Sequence, residues 1–185
     1  EVAVTRYNLG RAWFATGQAS AAMTEYHQVL PAFERSYGAE HARIAIVGNA
    51  LAQALIELDQ LGAAAEIAER AEQIAARQWP QGHEVHAAAL AILAEIARQR
   101  RELTRAEALA RRARQMQAER VASDDWRLAT VDSVLGAILV DQGQLDAARP
   151  MLGSATARLR DQFGPADSRV QRVDQARQRA EGAQP

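Results

Sequence analysis

Apolar positions recur along this chain at three- and four-residue steps. Ile44, Val47, Leu51, Leu55 and Leu58 share one face of a helix predicted over about residues 41–58, and Ile67, Ala71 and Ile74 do the same over about 61–78. The layout then returns every 42 residues. Leu9 falls on Leu51, Leu93 and Leu135, and Ala3 falls on Ala45, Ala87 and Ala129. Ala22 falls on Ala64, Ala106 and Ala148, and Val29 on Ala71, Ala113 and Ala155. Four copies in register without a gap mark a tandem repeat.

Each copy reads as two helices. Gly17, Gly62 and Gly143 are expected at the tight turns inside a copy, and Pro80-Gln81-Gly82, Val121-Ala122-Ser123 and Gly164-Pro165 between copies. The small residues at Gly10, Ala52, Ala94 and Gly136 and at the Ala22 row predict close crossings of the paired helices. A larger side chain there would overpack the contact at about 1–3 kcal/mol. The Leu9 row is expected to fill the adjoining gap. A single pair cannot bury its apolar face, so the copies stack into a solenoid. Pro31 lies deep in the second helix of its copy, where a kink or a penalty of about 3 kcal/mol is expected. Residues 168–180 are in phase with a fifth first helix. They carry a thin apolar stripe of Val170, Val173 and Ala176, and Arg177 and Gln178 replace the Leu-small pair, which reads as a capping helix.

Composition agrees with this all-α picture. More than a fifth of the 185 residues are alanine, the best helix former, and aromatics make up 5%. The length suits one domain. Net charge is −1, which gives no overall field to attract nucleic acid or an anionic membrane. All 22 basic residues are arginine, a bias with no folding logic that points to a high-GC, bacterial coding sequence. Cysteine is absent, which removes disulfides and thiolate chemistry and fits the cytoplasm. No apolar run reaches the roughly 18–20 residues of a membrane span. The chain starts at Glu1 rather than at Met, so a preceding segment is expected.

Candidate chemistry is sparse. His83 and His86 form an H-x-x-H pair, but His41, His83, Asp125 and Asp167 share one repeat position, which favours helix capping over metal binding. Asp124 and Asp125 fall in the same linker, and His27 has no nucleophile partner. No phosphate-binding glycine loop and no G-x-S-x-G is present. We therefore expect no catalytic residues, no metal and no cofactor. Eight arginines face four glutamates over residues 95–120, and six acids face three arginines over 38–78. Solvated i, i+4 ion pairs are the simplest reading of these patches, with weak self-association and nucleic-acid binding behind it.

Leu9, Gly10 and Trp13, followed by Gly17, Ala22 and Tyr26, resemble the tetratricopeptide repeat (TPR) motif. The 42-residue period, the linkers Gly38-Ala39-Glu40-His41 and Gly164-Pro165-Ala166-Asp167, and Pro150 in a second helix resemble its kinesin-light-chain type. The third copy departs from the motif, with Arg101 at the turn and Ala97 at the aromatic position. The resemblance implies a right-handed superhelical solenoid of four helix-turn-helix repeats at about 1–38, 39–80, 81–122 and 123–164. A capping helix at about 167–181 and a tail at 182–185 would follow.

It also implies that the first helices line a concave groove, in rows from Val4, Tyr7, Arg11 and Phe14 onward. From these rows Tyr7, Arg11, Phe14, Asn49, Gln53, Ile56, Glu95 and Arg98 are the candidate peptide-binding residues. Asn49 and Gln53 would bond a peptide backbone, Arg11 and Arg98 would meet acidic side chains, and Phe14 and Ile56 would give apolar contact. Chaperone-tail binders of this family clamp a terminal carboxylate with Lys and Asn. Here Tyr7, Arg11, Ala50, Ala88 and Ile92 stand instead, so an internal peptide or a helix is the expected ligand. A non-catalytic protein-interaction scaffold that binds a peptide or a partner domain in the concave groove is thus the leading expectation. A C-terminal regulatory region of a larger bacterial signalling protein and a self-assembly module stand as alternatives.

Overall fold

A computed structural model describes residues 2–182. Its elements run α1 (Val2–Ala15), α2 (Ala19–Tyr37), α3 (Ala42–Glu57), α4 (Leu61–Gln78), α5 (Glu84–Gln99), α6 (Leu103–Ala118), α7 (Trp126–Asp141), α8 (Leu145–Phe163) and α9 (Ser168–Gly182). No strand occurs among the described residues. The helices pair as α1–α2, α3–α4, α5–α6 and α7–α8, and each second helix packs on the first helix of the next pair. The tail expected at 182–185 begins inside α9, and residues 183–185 lie outside the described residues.

Local signals at the 42-residue period set the helix ends. α3 and α5 are capped by His41 and His83, whose Nδ1 atoms accept the backbone N–H of Arg43 and Val85. α7 and α9 use Asp125 and Asp167, whose Oδ1 atoms accept from Arg127 and Arg169 at 2.7 and 2.9 Å. The His and Asp of this row therefore do the same job through different acceptors. The caps also hold the ends of the preceding helices. Tyr37 stacks on His41 and Trp79 on His83, with ring centroids 4.9 and 4.0 Å apart.

The turn inside each pair is a Schellman closure, repeated four times. Gly17 donates to the carbonyl of Phe14 and Gln18 to that of Trp13, and the same two bonds recur 42, 84 and 126 residues later. The closure needs one residue in the left-handed region. Gly17, Asp59, Arg101 and Gly143 occupy it, with φ of 79°, 57°, 65° and 76°. Gly62, expected at a turn, instead lies within the first turn of α4, and Asp59 takes the turn role. Asp tolerates this conformation through its short polar side chain, whereas Arg101 holds it under strain of about 1–2 kcal/mol. Pro31 and Pro150 lie inside α2 and α8, and both helices continue through them.

Packing between paired helices depends on matched sizes at one crossing. A Cβ on Gly10 would lie 2.6 Å from Cε1 of Tyr26, and one on Gly136 would lie 2.6 Å from Cδ2 of Leu152. Both pairs are 16 residues apart. The equivalent pairs, Ala52 with Ala68 and Ala94 with Ala110, are fully buried. Gly therefore stands opposite a bulky partner and Ala occupies both equivalent positions in the middle copies, so the two sides of the crossing are matched in size. The Ala22 row is buried in all four copies. The Leu9 row behaves differently in its first member. Leu51 and Leu135 are buried, but Leu9 is 43% exposed. The side of α1 that carries Leu9 has no preceding second helix to cover it among the described residues, so Leu9 does not fill the gap expected of it.

Two stability tests follow from these positions. Gly136→Ala is expected to destabilise by about 1–3 kcal/mol and Leu152→Ala by about 2–5 kcal/mol. The double variant should recover part of the sum, because it recreates the Ala–Ala crossing of the middle copies. Strictly additive urea-unfolding losses would show that the two sites do not share a contact. Arg101→Gly should raise stability by roughly 0.5–1 kcal/mol, the relief of left-handed strain less the added chain entropy of glycine.

Candidate functional site

The first helices of the pairs, with α9, form the inner wall of the solenoid. α1, α3, α5, α7 and α9 touch in sequence, and α9 also touches α1. The Ser168 hydroxyl donates to the carbonyl of Phe14 at 3.2 Å, and Arg172 pairs with Glu57 at 2.6 Å. Ser168 is the first residue of α9 and Phe14 the last but one of α1. The inner wall is thus one turn of a spiral that climbs by a helix length, about 20 Å at 1.5 Å per residue. It encloses a cavity of about 1330 Å³ lined by all five helices.

All eight predicted groove residues line this cavity, but they differ in what they leave free. Asn49 is buried, and its Nδ2 donates to the carbonyl of Val85 at 2.9 Å. Its amide therefore ties α3 to the start of α5 rather than facing a ligand, and its Oδ1 is buried without a partner. Arg98 is held by Glu95 through two bonds of 2.8 and 2.7 Å and by Asp141 at 2.5 Å. These partners push its pKa up further, so Arg98 is not left to meet an acidic side chain and Glu95 is spent on holding it. Ile56 is 7% exposed and belongs mostly to the core. Tyr7, Phe14 and Gln53 are half-buried, and Arg11 is exposed.

Arg11 differs from the other arginines of the wall. Arg98, Arg127, Arg169, Arg172 and Arg179 all pair with carboxylates. Arg11 makes no ion pair with a described residue, and its guanidinium lies 5.9 Å from the centre of the Tyr7 ring. Burial pushes the Tyr7 and Tyr26 phenols up, so both keep their O–H where they line the cavity. Asp141 bridges Arg98 and Arg179 and so joins α5, α7 and α9.

α9, expected from its polar composition to be a cap, also contributes to the cavity. Arg172, Gln175 and Arg179 stand four periods after Val4, Tyr7 and Arg11, and all three line the cavity. The phase that identified α9 as a fifth first helix was the signal. Elsewhere, His86 pairs with Glu72 at 2.9 Å while His83 caps α5, so the H-x-x-H pair is divided between two structural roles. No group of three or more metal-ligating side chains lies together among the described residues, and none of their helices is long and apolar enough to cross a membrane. On the basic stretch, Arg105 and Arg111 pair with Glu102 and Glu107 as i, i+3 and i, i+4 pairs.

The acid caps give this wall a pH dependence. Hydrogen bonds from the Arg127 side chain, with its backbone N–H and charge, hold the Asp125 carboxyl below its usual range against burial. Burial raises Asp167, but Arg169 outweighs it and the net direction is again down. Their contributions are present above the ordinary Asp pKa and are lost as pH falls through the lowered values. Asp125→Asn should therefore lower the melting temperature at neutral pH. It should also flatten the fall between about pH 5 and pH 2, with variant and wild type converging at the acid end. A parallel decline of both proteins would contradict the assignment.

A family model described as tetratricopeptide repeat matches residues 2–43. Two crystal structures of a Podosopora anserina kinesin light chain with nearly identical TPR-like repeats superpose on the chain. Their TM-scores are 0.68 and 0.67 at 20% and 21% identity, over 95% and 96% of this chain and 83% and 89% of theirs. BtubC (BKLC) from P. vanneervenii superposes at 0.58 with 17% identity, covering all of this chain and 91% of its own. At these identities the likeness establishes the fold. No curated protein matches the sequence.

Proposed function

We propose that this chain, whose residues 2–43 match the tetratricopeptide-repeat model and whose fold is shared with kinesin-light-chain-type repeats, is a non-catalytic scaffold that takes a peptide or partner helix in its central cavity. Repeats of this kind mediate protein–protein interaction in general. The observation that carries the reading here is a cavity shared by five helices, with apolar walls at Tyr7, Ile46 and Ala88 beside polar groups not spent on the fold. Arg11 supplies an uncommitted cation, and Gln53 and Gln175 supply amides. Amides suit an extended backbone, since each both donates and accepts. The binding set therefore centres on Tyr7, Arg11, Phe14, Gln53 and Gln175, with Asn49, Glu95 and Arg98 shaping the wall behind them. The arginine-only basic content and the lack of cysteine support a bacterial cytoplasmic setting.

Affinity capture from the source organism, read by mass spectrometry, tests this. A protein held by wild type, lost with Arg11→Ala/Gln53→Ala and retained with the outer-face variant Arg112→Ala is the expected result. Equal capture by all three would move the binding surface away from the cavity.

A further inference from the structure

We infer that α9 is a gate on the cavity, hinged on α7 and α8 and latched by a breakable polar seam to α1 and α3. The inference rests on the cavity reading above and adds how the site is opened. It follows from the unlike edges of one helix. On its hinge edge, Val170, Val173, Ala176 and Ala180 are buried in the same apolar cluster as Leu139, Leu152 and Leu159. Arg160 pairs with Asp174 there and Arg149 donates to the Ala180 carbonyl, while on the cavity face Arg179 pairs with Asp141 of α7. Opening there would expose apolar surface and strip several ionic contacts.

The other edge shares no apolar cluster with α1 or α3 among the described residues. It is made by the Ser168–Phe14 hydrogen bond, the Arg172–Glu57 ion pair and the Arg172 guanidinium, 5.4 Å from the Phe14 ring centre. Both partners of the ion pair keep about a third of their side-chain surface in water, at 38% and 33%. Such pairs contribute little and are screened by salt. Parting this edge uncovers little apolar surface beyond one face of the half-buried Phe14 ring, because Arg172 and Glu57 are already partly in water. With the latch closed, a ligand reaches the cavity only along the spiral axis. With it open, a chain longer than the cavity can enter from the side.

The lack of cysteine makes the test clean. Spin labels on Gln18→Cys and Gln171→Cys, both exposed and outside the latch, report the α1–α9 separation by double electron–electron resonance without any ligand. At low salt a single short population is expected. Arg172→Glu should shift it to longer distances, and raising salt from roughly 0.05 to 0.5 M should do the same. The swapped pair Glu57→Arg/Arg172→Glu should restore the short population, which a misfolded variant would not. A short distance that survives both Arg172→Glu and high salt would overturn the gate. So would a wild type that shows only long distances, or a swap that fails to restore closure. Loss of the gate would leave the cavity reading standing, since capture by Arg11 and Gln53 is measured separately.

Discussion

Everything in this fold rests on how closely the two helices of a repeat can cross. A small residue stands there in every copy: Gly10 against Tyr26, Gly136 against Leu152, and Ala52 and Ala94 buried with Ala68 and Ala110 at the equivalent positions. One methyl group too many at Gly136 would strike Leu152 at a distance that no real contact shows. With the crossing fixed, the angle within each pair is fixed, and the stacking of pairs follows. The curvature that brings α9 round to α1 is the accumulated result of four such crossings.

The period of 42 residues made most of this legible. Helix pairs, caps and small-residue rows all repeat with it, and each repetition is a local physical demand. Gly62 shows where composition misled. A glycine near a turn is a natural candidate for the left-handed position, but the Schellman bonds put that position at Asp59. Leu9 shows a second limit, since the periodic row predicts burial but cannot supply a neighbour to bury against. α9 shows a third. Its polar composition suggested a cap, while its phase placed Arg172, Gln175 and Arg179 on the inner wall.

The site was legible as a set of positions and illegible as a set of free groups. Row arithmetic placed eight residues on one cavity, yet it could not say which side chains the fold itself would consume. Asn49 bonds Val85, and Arg98 is surrounded by Glu95 and Asp141. Those partners lie 36, 3 and 43 residues away, so two of the three become visible only once neighbouring helices are in place. Among the described residues a wall rich in arginine thus presents one cation without an ion pair, Arg11, although its composition suggests many.

Closure by Ser168 and Phe14 changes what evolution can do with this array. In an open solenoid, copy number is a free variable, and a duplicated or deleted unit merely lengthens or shortens the rod. Among the described residues the spiral meets itself after four pairs and one further helix. An inserted pair would carry α9 past α1 onto a second storey, and a lost pair would leave it short of its partner. The spacing of these four pairs is therefore bound to the shape of the cavity, and variation between α1 and α9 is left to the side chains that line it.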